Sequence, residues 1–179
     1  MPIIDWQELD REGPPPMATE EILHLIPTHH PACDTKCLVI LPHAVFDKMM
    51  LYLKGDRTTE RIGILTGRPY TKSSNGQLLL CVDDAISVDD IHATDIRVAI
   101  EKNAWKDVWT RLSVTVKSRI VGWYHSHPDH GVFLSATDLA TQSLWFAQEW
   151  KVAIVVDPVR EEYQAFTGAS GTPTTVLLI

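Results

Sequence analysis

The sequence predicts an α/β domain in which helices flank a mixed β-sheet, and three observations support this class. Apolar runs of strand length alternate along the chain with segments whose apolar residues recur at helical spacing. Several neighbouring strands have only short connections, which favour a mixed sheet over an all-parallel one. The 179 residues, 45% of them hydrophobic and 22% charged, suffice for one apolar core. We therefore expect a single folded domain.

The chain changes character near residue 36. Prolines at positions 14–16, 27 and 31 interrupt regular structure and leave room for only a short helix in ATEEILHLI. We interpret residues 1–36 as an N-terminal extension and residues 37–179 as the domain. The ligand types His29, His30, Cys33 and Cys37 lie close together in HHPACDTKC, but the prolines and the strand that follows explain this segment without a metal.

The first half of the domain alternates strand and helix patterns. A β-rich run from Cys37 to Leu41 precedes a helical period that ends near Gly55. ERIGILTG is expected to form a strand ending at Gly67, and the turn-rich RPYTKSSNG a loop before the strand QLLLCVDDAI. A second helical period then runs through TDIRVAIEKNAWKDVWTRLSV, with Thr94 as its N-cap.

The second half continues the alternation. RIVGWYHSH is predicted to be a strand and SATDLATQSLWFAQE a capped helix. KVAIVVDP is typical of a buried strand, which Pro158 ends, and EYQAFTG and TTVLLI are expected to be the closing strands. These elements complete the predicted sheet.

Composition excludes several classes of partner. The formal charge of −7 and the pI near 5.5 provide no basic stripe for nucleic acid, so a basic peptide or tail fits better. No apolar run approaches the roughly 20 residues that span a bilayer, and the first residues lack a signal-peptide pattern. Three cysteines are too few for a disulfide framework. We expect a cytoplasmic protein that binds neither membranes nor nucleic acid.

A cluster of potential metal ligands lies in GWYHSHPDHGVFLSATD. His125 and His127 alternate along a strand and therefore share one face. Pro128 ends that strand, and SATD places Ser135 at a helix N-cap and Asp138 in the first turn. Two imidazoles and one carboxylate suit Zn²⁺ and leave a fourth position for water, the arrangement of a catalytic site. We predict one zinc ion per chain.

Each part of this pattern has an ordinary structural explanation when taken alone. An H-x-H pair at the end of a strand is a weak signal, and SATD alone is more often a simple capping box. Asp129 and His130 are expected in a solvated loop, because further protein ligands would close the water position. Trp123 should lie on the face of His125 as a packing residue. The ordered combination makes the metal interpretation stronger than any single part.

The same stretch resembles the JAMM (MPN-plus) zinc metalloprotease motif, in which H-[ST]-H-P precedes [LM]-S-x-x-D. Isopeptidases that remove ubiquitin and ubiquitin-like proteins carry this motif, among them proteasome-lid and signalosome subunits and stand-alone bacterial enzymes. ERIGILTG is similar to the family's upstream E-x-x-G-x-L-x-G and nominates Glu60. The resemblance covers about residues 37 to 168. It implies a metalloprotease domain with a three-layer arrangement like that of cytidine deaminases.

The resemblance also implies roles for the matching residues. His125, His127 and Asp138 would bind zinc, and Glu60 would accept a proton from water and pass it to the leaving amine. Ser135 would help stabilise the tetrahedral oxyanion.

The substrate implied by the family is the extended Gly-Gly tail of a ubiquitin-like protein, which adds as a strand beside the site. The segment DDAISVDDIHATD matches the insertion that borders this groove, and it would equally suit a solvated acidic loop. Its aspartates are Asp83, Asp84, Asp89, Asp90 and Asp95. If Asp89 and Asp90 attract a basic tail, their replacement by Asn raises KM in a salt-dependent way, whereas unchanged kinetics at low salt would contradict this.

Two other functions fit the sequence less well than an isopeptidase. A catalytically silent MPN scaffold is disfavoured because all five motif residues are present. A nucleoside deaminase requires a P-C-x-x-C partner to its histidine, and the sequence has no C-x-x-C. After VAIVVDP the chain lacks the C-terminal helices of subunits from large complexes. This favours a stand-alone enzyme or a bacterial-type conjugation system.

Overall fold

The computed structural model describes residues 15–26, 35–88 and 108–179. Seven strands form one mixed sheet: β1 (Cys37–Leu41), β2 (Ile62–Thr71), β3 (Leu78–Ser87), β4 (Ile120–Ser126), β5 (Val152–Asp157), β6 (Glu162–Thr167) and β7 (Thr172–Leu178). The helices are α1 (Glu20–His24), α2 (His43–Lys54), α3 (Val114–Lys117) and α4 (Ala136–Trp145). Within the described residues, no helix is long and apolar enough to cross a membrane.

The order of the strands confirms the α/β class with a mixed sheet. The spatial order is β1-β3-β2-β4-β5-β6-β7, with parallel pairs β1/β3, β4/β5 and β1/β7 and antiparallel pairs elsewhere. Because β7 pairs with β1, the sheet closes into a barrel and leaves neither of its terminal strands as an edge. Closure depends on pairing between the first and last strands, β1 and β7, which the sequence pattern did not indicate.

One predicted strand boundary was wrong. β2 does not end at Gly67 but continues to Thr71, through residues assigned to a loop because RPYTKSSNG is turn-rich. A bulge between Thr66 and Gly67 shifts the register, and beyond Thr66 β2 pairs with β3 but no longer with β4. Pro69 therefore lies on an open edge, where its missing N–H removes no ladder bond. The other described strands and the helices α1, α2 and α4 agree with the prediction to within a few residues, and Gly55 is the C-cap of α2. The short helix α3 was not predicted.

Apolar clusters cover both faces of the sheet. One cluster packs α2 against the strands through Val45, Met49 and Leu53. The other includes Trp123 of β4 and Phe146 after α4. β4 is buried along its whole length between these layers, so its side chains have little freedom to move. This strand supplies the residues of the candidate site.

The described part of the N-terminal extension packs on a different surface. Residues 15–18 continue along the open edge of β2, where Ala18 N donates to Thr71 O and Thr71 N donates to Pro16 O, both at 2.8 Å. Apolar side chains of α1 cover a third cluster that includes Leu38 and Leu79. The predicted short helix is confirmed, and its packing surface differs from the cluster that contains Trp123.

Candidate metal centre

The end of β4 fixes the two histidines. His125 is paired with Ile62 of β2 on one side and Val155 of β5 on the other. His127 follows the strand, and its backbone N donates to the Val156 carbonyl at 2.9 Å. Both side chains are buried and lie on the same side of the strand, as alternation predicts.

The start of α4 brings a carboxylate to these histidines. Ser135 is the N-cap, and its Oγ accepts from Asp138 N at 3.2 Å while Asp138 Oδ2 accepts from Ser135 N at 2.7 Å. This reciprocal capping box confirms the predicted helix start. It also holds the buried Asp138 side chain back toward the N-terminus of the helix, where the histidines lie. The capping role and the position beside the histidines coexist in one residue.

The three potential ligand atoms converge. The Nε2 atoms of His125 and His127 are 3.1 Å apart, and Asp138 Oδ2 is 3.5 Å from the first and 3.4 Å from the second. Donors bound tetrahedrally to zinc at ~2.0–2.1 Å are about 3.3 Å from one another. The spacing of these atoms therefore fits a single zinc ion with one position left open.

The chemistry of the donor set supports the same interpretation. The atoms that converge are Nε2 of both imidazole rings and Oδ2 of the Asp138 carboxylate, and all three side chains are buried. A donor set of two imidazole nitrogens and one carboxylate oxygen matches the ligands of catalytic zinc.

The electrostatics of the cluster favour a cation. Burial disfavours the charged form of Asp138, but hydrogen bonds from both histidines and from Ser135 outweigh it and hold the pKa of Asp138 well below its usual range. Burial likewise disfavours protonation of His127, yet Asp138 and Glu60 outweigh it and raise the pKa of His127. The carboxylate is thus ionised at neutral pH, and a metal must compete with a proton at His127.

A buried polar network supports the ring of His125. Trp123 stacks on this ring with centroids 4.4 Å apart and planes 9° apart, which confirms its predicted place on the His125 face. Trp123 Nε1 donates to Gln142 Oε1 at 2.8 Å. Gln142 Nε2 in turn donates to the carbonyls of Phe146 and Lys151 at 3.0 and 3.2 Å. Gln142 was not predicted from the sequence, where its one signal is a polar residue one turn after Asp138 on the same helix.

Glu60 lies at the exposed side of the cluster. Its Oε1 is 3.8 Å from His127 Nε2, and its side chain is 46% exposed. The turn before it is built on Asp56, whose Oδ1 accepts from the backbone N of Thr58 at 2.8 Å and of Thr59 at 3.2 Å. The structure thus brings Glu60 beside the two histidines and Asp138 and leaves its carboxylate open to solvent.

Ser126 of β4 is hydrogen-bonded to Arg61, the residue after Glu60. Ser126 Oγ accepts from Arg61 N and Ser126 N donates to Arg61 O, both at 3.0 Å. The Arg61 guanidinium also donates to the Tyr52 carbonyl at 2.8 Å. As predicted, Ser126 is turned away from the ligand cluster, but its structural role was missed.

Gly63 explains the first glycine of ERIGILTG. The ring of Tyr124, a buried residue of β4, lies directly over the Gly63 backbone, and a Cβ there would overlap the ring. Only glycine allows this approach without displacing the ring. Because β2 begins two residues after Glu60, this close packing also helps to bring Glu60 near the end of β4.

The other polar residues discussed from the sequence lie outside the cluster. Asp129 and His130 are exposed, as expected for a solvated loop. Asp84 forms an ion pair with Lys48 at 2.7 Å, and Asp83 pairs with Arg119, so both acidic groups have basic partners.

Several predictions fall on residues outside those that the structure describes. These residues are Asp89, Asp90, Thr94, Asp95 and most of the second helical period, together with His29, His30 and Cys33. Cys37 is buried in β1.

A family model described as prokaryotic homologs of the JAB domain matches residues 42–167. The chain belongs to the JAB/MPN (JAMM) family. COP9 signalosome complex subunit 5 from Caenorhabditis elegans is 35% identical over 119 residues, which cover 63% of this chain and 30% of that protein. The same subunit from Kluyveromyces lactis is 34% identical over 132 residues, covering 72% of this chain and 33% of that protein. This JAMM chain thus spans about a third of the length of these relatives.

The fold is also similar to a solved bacterial structure. Protein DSY2949 from Desulfitobacterium hafniense superimposes with a TM-score of 0.53 at 15% identity, covering 79% of this JAMM chain and 92% of that chain. At this identity the similarity concerns the fold alone.

Proposed function

We propose that this JAMM protein is a zinc-dependent isopeptidase or peptidase. Its substrate would be the amide bond after the Gly-Gly tail of ubiquitin or a ubiquitin-like protein. The observation that carries the proposal is the convergence of His125 Nε2, His127 Nε2 and Asp138 Oδ2 within 3.5 Å of one another, with the exposed Glu60 carboxylate beside them. A buried ligand set next to a solvent-accessible acid is what hydrolysis at a metal requires.

The proposed chemistry divides the work between metal and side chains. Zinc held by His125, His127 and Asp138 would supply Lewis acidity, which lowers the pKa of water and polarises a carbonyl oxygen. Glu60 would accept the proton that water loses and deliver it to the leaving amine, which is too basic to depart as an anion. The exposure of its side chain gives it access to both water and substrate.

Ser135 is the proposed stabiliser of the oxyanion. It is half-buried at the N-terminus of α4, and its Oγ already accepts a hydrogen bond from Asp138 N. The hydroxyl proton therefore remains available to donate to a developing negative charge. Asp89 and Asp90 stay proposed contacts for the substrate tail.

The proposed substrate and setting follow from the family and its relatives. The matching family model describes prokaryotic homologs, and the curated relatives are subunits of the COP9 signalosome. A bacterial-type conjugation or precursor-processing system in the cytoplasm suits both findings and the sparse cysteines.

The test combines metal analysis with cleavage of two substrates. The purified chain is assayed for zinc, then for cleavage of a ubiquitin-like protein fused through its Gly-Gly tail to a reporter, and of the same tail joined to a lysine side chain. Glu60→Gln keeps the shape of the side chain but cannot accept a proton, so we expect full zinc content and activity lower by ~10²–10⁴-fold. Glu162→Gln, at an exposed glutamate of β6, is the matched control and should cleave normally.

The outcomes separate the proposal from its alternative. Full zinc occupancy without cleavage of either substrate would favour the catalytically silent MPN scaffold. Activity of Glu60→Gln equal to that of the unaltered chain would contradict the role given to this carboxylate.

A further inference from the structure

A second buried carboxylate lies behind the candidate metal centre, at the end of β5. Asp157 has no exposed surface, and its Oδ1 accepts from the backbone N of Asp129, Val159 and Arg160 at 3.1, 2.9 and 3.0 Å. Its Oδ2 accepts from Gly131 N at 2.8 Å. One side chain thus binds the backbone of two segments, the turn after β5 and the loop that follows His127.

We propose that Asp157 is a positioning residue for the metal centre. Through the amides of Asp129 and Gly131, it holds the loop between His127 and α4 in the form that lets its flanking ligands converge. This loop separates His127 from Asp138 and has no regular secondary structure of its own. Its position therefore depends on contacts from outside the loop.

The backbone of the loop needs such an anchor. Asp129 has φ of 61° and Gly131 has φ of 83°, and the first of these is a conformation that residues with a side chain rarely adopt. His130 N donates to the His127 carbonyl at 3.2 Å, which closes a tight turn directly on a proposed ligand. The bonds from Asp157 offset the strain of this turn. Without these hydrogen bonds, we expect the loop to leave this strained conformation, and the His127 carbonyl to change position with it.

The other side of His127 is already fixed. Its N–H is bonded to Val156, the residue immediately before Asp157. Two adjacent residues of β5 therefore hold the backbone on both sides of His127. The Val156 carbonyl binds the N–H of His127, and the Asp157 carboxylate binds the loop after it. His127 is the ligand that follows the end of β4 and lacks the ladder pairing that fixes His125.

An amide cannot replace the carboxylate of Asp157. The two oxygens accept four N–H groups, whereas asparagine offers a single acceptor oxygen and an NH₂ group. In one orientation of Asp157→Asn, the new NH₂ group would face the N–H of Gly131, so that two donors oppose each other. In the flipped orientation, the NH₂ group would face the other three N–H groups. The volume is unchanged, so the variant tests the hydrogen bonds rather than the packing.

The experiment measures metal binding, which can be tested whether or not the protein hydrolyses amide bonds. Only an effect of Asp157 on hydrolysis rests on the proposed function. Zn²⁺ affinity is measured by competition with a chromophoric chelator, and the geometry of the site by the visible spectrum of bound Co²⁺. Both are recorded at a temperature where circular dichroism shows each protein fully folded. We expect Asp157→Asn to bind Zn²⁺ ~10–100-fold more weakly, the usual effect of removing an outer support of a metal site, and to show an altered Co²⁺ spectrum.

Asp129→Asn is the matched control. It removes one charge from the same loop, but asparagine tolerates the left-handed backbone and leaves all four N–H bonds to Asp157 in place. Among the described residues, the Asp129 carboxylate pairs with the half-exposed Arg160 at 3.1 Å, and exposed pairs contribute little. The bond that Arg160 donates to the Asp129 carbonyl does not involve the side chain of residue 129. Zn²⁺ affinity within about threefold of the unaltered protein is expected.

A folded Asp157→Asn with unaltered Zn²⁺ affinity and Co²⁺ spectrum would overturn the proposal. Should that variant fail to fold, amide exchange in the unaltered, metal-free protein decides instead. If Asp157 positions the loop, the amides of Asp129 and Gly131 exchange at least ~100-fold more slowly than free amides before any metal is added. Unprotected amides at both positions would show that the loop is not held by Asp157.

Discussion

Two buried aspartates follow the histidines of the candidate metal centre in sequence, one in the first turn of α4 and one at the end of β5, and their hydrogen-bond partners differ. Asp138 and Asp157 both have fully buried side chains. At Asp157 both oxygens accept backbone N–H groups, four bonds in all. At Asp138 one oxygen faces two imidazoles and the backbone N of Ser135, and the other has no partner among the described residues.

The difference separates a structural carboxylate from a binding one. Burial disfavours ionisation at Asp157, but its four N–H partners outweigh burial and lower the pKa of Asp157 to about 2. Asp138 is held ionised mainly by histidines, which are metal ligands in their neutral form. The hydrogen-bond partners of Asp157 are fixed backbone donors, which cannot bind a cation. Two neighbours of Asp138 Oδ2 are imidazole nitrogens, which can bind a cation together with this oxygen.

The largest effect that would test this contrast is the loss of the metal on removal of Asp138. In Asp138→Ala we expect Zn²⁺ affinity to fall at least ~100-fold, because one of three ligands is lost. Zinc at 1,000 times its dissociation constant should raise the melting temperature of the unaltered chain by ~10 °C and that of the variant far less. Without metal, the free energy of unfolding should change by only about 1 kcal/mol, the value of a helix cap.

Chelator competition, thermal unfolding with and without Zn²⁺, and urea unfolding in a chelator measure these quantities. A variant that still gains the full thermal shift from Zn²⁺ would remove Asp138 from the ligand set.

A smaller effect is expected from the hydrogen bond between Gln142 and Trp123, which supports the His125 ring. Gln142→Leu leaves the buried indole N–H of Trp123 without its acceptor, so we expect the free energy of unfolding to fall by about 2 kcal/mol. Loss of this support beneath the His125 ring should also weaken Zn²⁺ binding by up to about tenfold. Urea unfolding and chelator competition provide the two values.

A folded Gln142→Leu whose stability and Zn²⁺ affinity equal those of the unaltered chain would argue that the indole bond is unimportant.

The smallest expected effect concerns acid. The pKa of folded Asp157, about 2, lies below its ordinary value of 3.8, so its contribution to stability is complete above about pH 5 and is lost as the pH falls toward 2. The difference in unfolding free energy between the unaltered chain and Asp157→Asn should therefore be constant from pH 7 to about 5 and shrink between about pH 4 and 2. Urea titrations of metal-free protein across this range measure it. A difference that stays constant down to about pH 2 would mean that the N–H partners do not lower the pKa of Asp157 in the folded protein.

Much of the site could be predicted because its signals are local. Alternation along a strand places His125 and His127 on one face, and S-x-x-D at a helix start turns Asp138 back toward the N-cap. Neither inference needs the rest of the chain. The same local logic failed at β2, where the turn-rich RPYTKSSNG indicates a loop but its first residues continue the strand and an open sheet edge accommodates Pro69.

The support of the site could not be predicted, because it depends on contacts between segments distant in sequence. Ser126 binds Arg61, Gln142 binds Trp123, and Asp157 binds the loop after His127. Serine, glutamine and aspartate are ordinary surface residues by type, and their neighbours in sequence do not indicate which distant groups these side chains bind.

The sequence by itself determined the order of strands and helices, the shared face of the histidines and the cap that presents Asp138, since each follows from backbone periodicity over a few residues. Only the tertiary structure decided that the sheet closes, that the Glu60 carboxylate lies 3.8 Å from a histidine 67 positions away, and that Asp157 is fully satisfied whereas Asp138 is not. The physical reason is that these properties depend on which distant groups exclude water from one another, and a linear pattern does not encode that pairing.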